Sequence, residues 1–467
     1  MSESHVLLAP VHASTSQTAA VDNLVELAGW GANLRSRCKL VEPEVPADLR
    51  KYLSERLIAR GLGRSYGDPA LNEGRLVVGM RKLDRFLDFD ENTGVLQCEA
   101  GVSLLSIIHK FGPRGFFPMI SPGTQYVTIG GCIANDIHGK AHHSQGSFVN
   151  SVISMRVLLA NGEVVHCSRT ELPDLFWASF GGMGLLGIIL SAEIMLRPVE
   201  TAYYKESVIK AASLHELMSA LDETDKDYAY TVAMVDVFGR GPGLGRGVLN
   251  MGNAAKLSDL PPELQQDPLR IAPEAKLRVP FELPEITLNP LSIRVVNAFA
   301  QLFQAKKKPI THYSDFTYPL DIVHDWYRGY GPRGFTQYQF VIPFKDGHEN
   351  MRRIFDAMTS SGQMPFLNVL KRMGKQSDGH LSFPTEGYTL AIDFPVRSGT
   401  VELTRRLDAM VLEAGGRIYL GKDSYVESET FRKMYPRLDE WLAIKSKYDP
   451  ENIFVSDLSR RVGLTPV

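Results

Sequence analysis

The stretch ARGLGRSYGDPALNEG, residues 59–74, limits most strongly what this chain can fold into. Its glycines Gly61, Gly63 and Gly67 follow the spacing GxGxxxG rather than the dinucleotide fingerprint GxGxxG. That fingerprint needs a helix directly after the loop, and Pro69 with the turn residues behind it forbids a helix of useful length. We therefore predict a glycine-rich loop between strands, not a Rossmann loop, whose backbone N–H groups can converge on a phosphate.

Two further runs of small residues lie in the same half of the chain. One is Gly130-Gly131-Cys132 within ISPGTQYVTIGGCIANDIHGK (120–140), and the other is FGGMGLLGIIL (180–190). Glycine lets a ligand approach the backbone because it has no Cβ. Three such clusters in one α/β region indicate a slot lined by backbone and suited to a long ligand.

Hydrophobic periodicity and turn residues predict the elements around these loops. We expect strands at 74–80, 95–101, 335–344, 366–373, 388–396 and 417–421, and helices at 103–112, 347–360 and 400–414. Residues 151–168 are typical of a hairpin around Asn161-Gly162, and 172–199 of a helix, a glycine turn and a long strand. The Pro-rich and charge-rich stretch near 253–285 has little periodicity, which indicates a mobile cover over a site.

Length and composition narrow the class of protein. A chain of 467 residues is too long for one ordinary core, so two domains are expected. Its formal net charge of −2 argues against a nucleic-acid binder. The first twenty residues lack a basic region before a short apolar patch, so we expect no signal peptide, and no run is long enough to span a membrane. The scattered cysteines indicate buried, reduced thiols: Cys38, Cys98, Cys132 and Cys167.

The loop ANDIHGKAHHSQGSF (134–148) allows several interpretations. His138, His142 and His143 could hold a metal, form a catalytic relay, or line a bound cofactor. A metal site needs converging ligands completed by a carboxylate or thiolate, and nothing like HExxH occurs here. Because glycines flank the group, we expect no helix-based histidine pair and no metal. His142 and His143 are predicted to be hydrogen-bonded loop histidines.

Several long motifs, taken in order, resemble a known family. They are RGLGRSYGD, PGTQYVTIGGCIANDIHGKAHHSQGSF, FWASFGGMGLLGII, GFTQYQFVIP, FLNVLK, LSFP, GKDS and YPRLDEWLAIKSKYDPENIFVSDLSRR. Together they are similar to the FAD-binding fold of the vanillyl-alcohol-oxidase (PCMH) type, and more closely to the decaprenylphosphoryl-β-D-ribose 2′-oxidase family. The similarity runs from about residue 25 to the end of the chain.

The resemblance implies an α+β fold with two domains. Residues 1–200 and the tail 416–467 would form the FAD-binding domain, and 201–415 an antiparallel-sheet substrate domain. The activity implied is FAD-dependent oxidation of the ribose 2′-hydroxyl of polyprenylphosphoryl-β-D-ribose to the 2-keto product. This oxidation is the first half of epimerisation to an arabinose donor for cell-envelope glycans. The implied partner is a keto-reductase of the short-chain-dehydrogenase type. No nucleic-acid partner is expected.

The resemblance also implies site residues. Lys422, His138 and Tyr66 are the expected catalytic group, with Lys422 either a base or a cation beside the developing charge. The expected cofactor-binding residues are Arg60, Gly61, Leu62, Gly63, Arg64, Ser65, Tyr66, Gly67, Pro122, Gly123, Thr124, Thr128, Gly130, Gly131, Asn135, Ile137, His138, Gly139, Gly187, Ile189 and Tyr419. Those expected to bind substrate are Lys140, Gln339, Asn368, Lys371, Ala391 and Lys422.

Two positions depart from what relatives carry. Mycobacterial members have a cysteine, which nitroaromatic inhibitors modify, where this chain has Ala391. Many relatives of the fold attach FAD to a histidine of the glycine motif where this chain has Arg64. A guanidinium stays protonated and is not nucleophilic, so non-covalent FAD is expected.

Other functions remain open at this stage. A sugar-alcohol or aldonolactone oxidase acting on a free soluble sugar would use the same fold. A scaffold without catalysis and a cofactor-free metal hydrolase are further alternatives. For the first interpretation we expect a cytoplasmic protein, peripheral at the inner membrane through its lipid substrate, with the periplasmic face as the alternative.

Overall fold

The computed structural model describes residues 24–237, 239, 241–275, 277–287, 289, 309–363 and 365–466. The strands are β1 (Leu24–Ala28), β2 (Arg35–Val41), β3 (Leu57–Arg60), β4 (Leu76–Gly79), β5 (Phe86–Asp90), β6 (Val95–Glu99), β7 (Phe116–Pro118), β8 (Val152–Leu158), β9 (Val164–Ser168), β10 (Ile188–Pro198), β11 (Tyr203–Ala211), β12 (Tyr230–Val235), β13 (Gly247–Ala254), β14 (Leu277–Arg278), β15 (Ile310–His312), β16 (Val323–His324), β17 (Phe335–Ile342), β18 (Asn368–Met373), β19 (Gly387–Pro395) and β20 (Arg417–Ile418). The α-helices are α1 (Leu104–Phe111), α2 (Ile129–Ala134), α3 (His142–Gln145), α4 (Pro173–Ser179), α5 (Leu214–Thr224), α6 (Pro262–Gln265), α7 (Tyr313–Thr317), α8 (Gly347–Ser360), α9 (Thr400–Glu413), α10 (Ser428–Met434), α11 (Leu438–Tyr448) and α12 (Asp457–Arg461).

The N-terminal half contains two sheets. The first has the order β1-β2-β4-β3, with β2, β4 and β3 parallel, and the second has the antiparallel order β5-β6-β10-β8-β9. The glycine loop follows β3 and leads to β4 without a helix, in agreement with the prediction made from Pro69. The predicted absence of a Rossmann loop is therefore confirmed.

Local sequence signals account for several elements. Ser103 caps α1 by accepting a hydrogen bond from Ser106 N at 3.0 Å. The hairpin β8–β9 turns at Asn161-Gly162, where Gly162 has a φ of +84° that suits glycine. These elements confirm the predicted helix at 103–112 and the predicted hairpin at 151–168.

The second half is built on one large antiparallel sheet, β15-β11-β13-β12-β18-β19-β17-β20. Strands β17 and β19 are buried along their whole length, including their polar residues Gln337, Gln339 and Asp393. Helices α5, α8 and α9 pack against this sheet. Together with the two N-terminal sheets, this sheet confirms the predicted α+β class.

The C-terminal tail returns to the N-terminal sheet. Leu57 of β3 accepts a hydrogen bond from Val455 N at 2.9 Å, and its own N–H donates to Ile453 O at 2.8 Å. Lys445 lies close by and donates to Phe454 O at 2.9 Å. The tail therefore packs beside the glycine loop, while the domain boundaries given above stay predictions.

The histidine segment and the Pro-rich stretch both contain regular secondary structure. His142 and His143 lie in the one-turn helix α3 and not in a loop, because Gly146, with φ +77°, ends the turn instead of interrupting it. The stretch near 253–285 contains α6 and β14, which pairs with β16, and its mobility stays a prediction. All four cysteines are buried and unpaired, as predicted.

No helix among the described residues is long and apolar enough to cross a membrane.

Candidate active site

A cavity of ≈ 460 Å³ lies between the glycine loop and the large sheet. Its size is within the range of small-molecule sites. One wall comes from the loops after β3 and around α2, and we call it the backbone wall. A second wall comes from β18, β19 and the turn after β20, and we call it the lysine wall.

The backbone wall offers amide groups instead of side chains. In the part of the chain that the structure describes, the N–H groups of residues 61–65 have no hydrogen-bond partner. A Cβ at Gly61 would lie 2.2 Å from Thr128 Oγ1, so only glycine fits beside the residue that caps α2. Gly123, in the loop before α2, also lines the cavity, and a Cβ there would meet nothing within 4 Å. Consecutive unpaired amides next to a helix N-terminus form an anion-binding surface of the kind that holds phosphates.

Arg64 closes one end of the backbone wall. Its guanidinium lies 3.8 Å from the ring centroid of Trp30, and its Nε donates to Tyr126 O at 3.2 Å. These contacts fix the side chain by stacking and by a directed hydrogen bond. The arginine therefore holds the shape of this end of the loop.

The lysine wall presents two amines to the cavity. Lys371 on β18 and Lys422 after β20 have no hydrogen bond or ion pair with any described residue, and Lys422 Nζ lies 5.3 Å from the ring centroid of Tyr66. Burial lowers the pKa of Lys371 to about 7, assisted by the neighbouring charges of Lys422 and Lys140. Burial also lowers the pKa of Lys422 to about 8, opposed by Asp393. Near neutral pH both amines can therefore exchange protons.

Asp393 is the acidic group behind Lys422. Burial raises the pKa of this carboxyl to about 6, while hydrogen bonds from Gln337 and Tyr330 and the charge of Lys422 lower it. Its Oδ2 accepts from Tyr330 Oη at 2.9 Å, and Gln337 Nε2 donates to Oδ1. The carboxylate is held in place by donors, so it acts on Lys422 as a fixed negative charge.

His138 is a neutral hydrogen-bonding group. Burial, followed by the charge of Lys371, lowers its pKa well below the usual value. Gln339 Nε2 donates to His138 Nε2 at 3.0 Å and to Thr389 Oγ1 at 3.1 Å. The Nε2 of a neutral ring that accepts leaves the proton on Nδ1, and this buried Nδ1–H has no partner among the described residues. The geometry supplies a donor for a ligand.

Most of the predicted site residues line the cavity. Those that do not are Arg60, Gly67, Gln339 and Asn368. Arg60 instead donates to Ala28 O and Ala70 O, at 2.8 and 3.1 Å, and supports the loop from behind. The side chain of Gln339 is linked to the cavity lining by its hydrogen bond with His138. The individual roles assigned to all these residues stay predictions.

The other two histidines of this segment are hydrogen bonded, as predicted, and neither they nor their partners line the cavity. Gly374 N donates to His142 Nδ1 at 3.0 Å, and His143 Nε2 lies 2.8 Å from Tyr228 O. Burial and the charge of Lys371 lower the pKa of His142 to about 3, so it is neutral. No group of three His, Cys, Asp or Glu side chains among the described residues is arranged to hold a metal.

Sequence reasoning missed part of the lining. The missed residues include Trp30, Met183, Glu206, Asn250, Asp321 and Trp326. Asp321 shows why: its Oδ2 accepts from Gln125 N at 2.8 Å, across 196 positions of the chain. No local pattern in a single sequence reports such a contact.

Two family models match parts of this chain. A family model described as an FAD binding domain matches residues 44–168, and one described as D-arabinono-1,4-lactone oxidase matches residues 286–462. The chain is 40% identical over 451 residues to the decaprenylphosphoryl-β-D-ribose oxidase of Mycolicibacterium smegmatis, covering 94% of this chain and 97% of that protein. The chain belongs to the decaprenylphosphoryl-β-D-ribose oxidase family.

Lactone oxidoreductases are more distant. The L-gulono-1,4-lactone dehydrogenase of Mycobacterium tuberculosis is 22% identical over 93% of this chain and 98% of that protein. Membership in the oxidase family and the FAD binding domain make the chain an FAD-dependent oxidoreductase, as the motifs implied.

The cavity fits FAD. The unpaired amides of residues 61–65 suit its pyrophosphate, and the open space beside Gly123 leaves room for a long ligand at the backbone wall. We expect the glycine loop and the turn at Pro122-Gly123 to hold the cofactor, which leaves the lysine wall to the substrate.

Proposed function

We propose that the chain oxidises the 2′-hydroxyl of a polyprenylphosphoryl-β-D-ribose to a ketone. The observation that carries this proposal is the pair of unpaired amines, Lys371 and Lys422, on the lysine wall of the cavity. FAD, when bound, supplies the acceptor for the hydride that leaves the carbinol carbon. The protein must bind the substrate, align it and remove the hydroxyl proton.

Lys422 is the proposed base for the hydroxyl proton. With a pKa of about 8, a useful fraction of the amine is neutral near pH 7 to 8, whereas an ordinary lysine would be almost fully protonated. Asp393 then stabilises the ammonium that forms, because its charge raises the pKa of Lys422. Proton removal at this position assists the departure of the hydride from the same carbon.

Lys371 and His138 are the proposed binding groups. The cation of Lys371 on β18 is placed to attract the phosphate of the substrate. The unpartnered Nδ1–H of His138 can donate to a substrate or cofactor oxygen. The hydrogen bond from Gln339 Nε2, which also donates to Thr389 Oγ1, holds the His138 ring in that tautomer. Tyr66 cannot serve as a base near neutral pH, since burial raises the pKa of its phenol far above its usual range.

The rim of the cavity favours a lipid-linked substrate. Leu320 lines the cavity and is 40% exposed. Ile322, two residues further, is 61% exposed, and Leu277, which pairs with Val323 between β14 and β16, is 63% exposed. Exposed large apolar side chains gathered in one place indicate an apolar partner. A polyprenyl tail leaving the cavity along this rim would bring the protein to a membrane surface. The ketone product would then require a separate keto-reductase.

Anaerobic titration of the purified yellow protein tests this function. Polyprenylphosphoryl-ribose should bleach the flavin absorption stoichiometrically, and free ribose and aldonolactones should not. Bleaching by an aldonolactone but not by the lipid-linked sugar would contradict the proposal and favour a lactone oxidase. No bleaching by either would contradict both.

A further inference from the structure

A buried ion network joins the glycine loop to the turn that carries Lys422. Arg461, the last residue of α12, donates from Nε and Nη2 to both carboxylate oxygens of Asp68, at 2.9 and 2.8 Å. Its Nη1 lies 2.8 Å from Asp423 Oδ2 and donates to Val426 O at 2.8 Å. Asp68 directly follows Gly67 of the glycine loop, and Asp423 directly follows Lys422.

The two segments joined by this arginine also touch through their backbones. Tyr66 N donates to Gly421 O at 3.1 Å, and a Cβ at Gly67 would lie 1.9 Å from Asp423 O. The turn itself is held by Asp423 Oδ1, which accepts from Tyr425 N and from Val426 N, both at 3.0 Å. A displacement of Asp423 therefore moves Lys422 relative to the glycine loop.

Charge balance makes the position of Asp423 depend on the arginine. Asp68 and Asp423 are each only 5% exposed, and Arg461 is the cation paired with both of them. Two buried carboxylates without their shared cation would repel each other and draw in water. A guanidinium has a planar fork that binds one carboxylate through two nitrogens while its third nitrogen reaches a second carboxylate, whereas an ammonium offers a single nitrogen and no such fork.

We propose that Arg461 is a positioning residue, which sets the place of Lys422 against the cofactor-binding loop by bridging Asp68 and Asp423. This inference rests on the proposed function, because it takes Lys422 as the base. Arg461 acts through the two carboxylates and does not itself line the cavity.

The neighbouring residue provides a matched control. Arg460 also ties α12 to the N-terminal segment, since its Nη1 donates to Asn72 Oδ1 at 2.9 Å and its Nη2 pairs with Asp457. It makes no contact with Asp423 among the described residues. Arg460→Met and Arg461→Met therefore remove the same kind of side chain from the same helix, and only the second releases the lysine turn.

The experiment combines hydrogen exchange with anaerobic flavin reduction. In Arg461→Met, amide exchange should become faster at 421–426 and at 66–68, and the limiting reduction rate should fall about 100-fold, as a small misplacement of a reacting group can cause. The substrate concentration at half-saturation should change less than about threefold, since the binding groups on β18 stay in place. Arg460→Met should leave exchange at 421–426 and the reduction rate near those of the unmodified protein.

Arg461→Lys, which keeps the charge but not the bridge, should lie between the unmodified protein and the Met variant. If Arg461→Met does not fold, this variant carries the test through the same two measurements. Equal effects of the two Met variants, or unchanged exchange at 421–426 in Arg461→Met, would overturn the inference. Failure of polyprenylphosphoryl-ribose to reduce the unmodified protein would instead overturn the proposed substrate, and the exchange measurement would still decide the role of Arg461.

Discussion

The two walls of the cavity are built from different materials. The backbone wall presents the amides of residues 61–65 and glycines without Cβ atoms, whereas the lysine wall presents the amines of Lys371 and Lys422. Amides carry fixed partial charges that do not change with pH, and the amines have pKa values of about 7 and 8. On the proposed function, the first wall would bind the cofactor and the second would transfer the proton. Substitutions should therefore separate the two functions.

Removing the amine of Lys422 should have the largest effect on flavin reduction. Lys422→Met keeps the length of the side chain but has no proton acceptor, so flavin reduction by substrate should slow by about 10³-fold, within the range for a general base. FAD content should be unchanged because the backbone wall is intact. Rapid-mixing absorption measures the rate, and the flavin-to-protein ratio measures the content.

The exposed Lys375, two residues beyond the end of β18, is the matched control. Lys375→Met should reduce normally. Near-normal reduction in Lys422→Met would remove this residue from the mechanism, and loss of FAD from it would break the division between the walls.

Adding one carbon to the backbone wall should weaken FAD binding and leave the reduction rate of bound FAD close to normal. In Gly61→Ala the new Cβ would lie 2.2 Å from Thr128 Oγ1, so the loop must shift and its amides lose their alignment. FAD binding should weaken by about 10- to 100-fold, which corresponds to the 1–3 kcal/mol typical of overpacking. Equilibrium dialysis of the apoprotein measures this affinity.

Gly243→Ala is the control for that substitution, since a Cβ there meets nothing within 4 Å. Its FAD affinity should equal that of the unmodified protein. The fraction of Gly61→Ala that keeps its FAD should still be reduced by substrate at close to the normal rate. A slow rate with normal FAD affinity would reverse the assignment of this wall.

A smaller effect is expected from Ala391 on β19, which lines the cavity and is 7% exposed. Ala391→Cys adds one atom that takes no part in proton or hydride transfer, so the reduction rate should change less than about threefold. The unmodified chain offers no thiol there, and nitroaromatic inhibitors should leave no added mass on peptide 382–396. An adduct on that peptide of the unmodified chain would show that the alignment with the family is shifted.

We expect FAD to be bound without a covalent link to the protein. Arg64 stacks on Trp30 at 3.8 Å and is not nucleophilic, so acid precipitation should release all of the flavin and leave a colourless pellet. A yellow pellet, or a peptide carrying the mass of FAD, would contradict this expectation.

The sequence allowed the elements with local signals to be predicted. Ser103 at the start of α1, Asn161-Gly162 in the hairpin and Pro69 after the glycine loop each act on their own neighbours in the chain. The backbone wall could be predicted for the same reason, because glycine spacing is local. The motifs of a known family then indicated Lys371 and Lys422.

Contacts between distant segments could not be predicted in this way. Trp30 reaches Arg64, Asp321 reaches Gln125 across 196 positions, and Arg461 reaches Asp68 across 393. Each depends on how sheets and tail pack together, which the periodicity of one strand or helix does not contain. The helix α3 was missed because Gly146 lies at its end and not within it.

The pH dependence of flavin reduction tests the central claim most directly. Burial lowers the pKa of Lys422 to about 8, and the neutral amine, which accepts the proton, increases as the pH rises through that value. The limiting rate should therefore rise about tenfold between pH 7 and 9. Asp393 raises the pKa of Lys422, so Asp393→Asn should move the midpoint to lower pH. A rate that is flat or falls with rising pH, or a midpoint that moves upward in Asp393→Asn, would contradict Lys422 as the base.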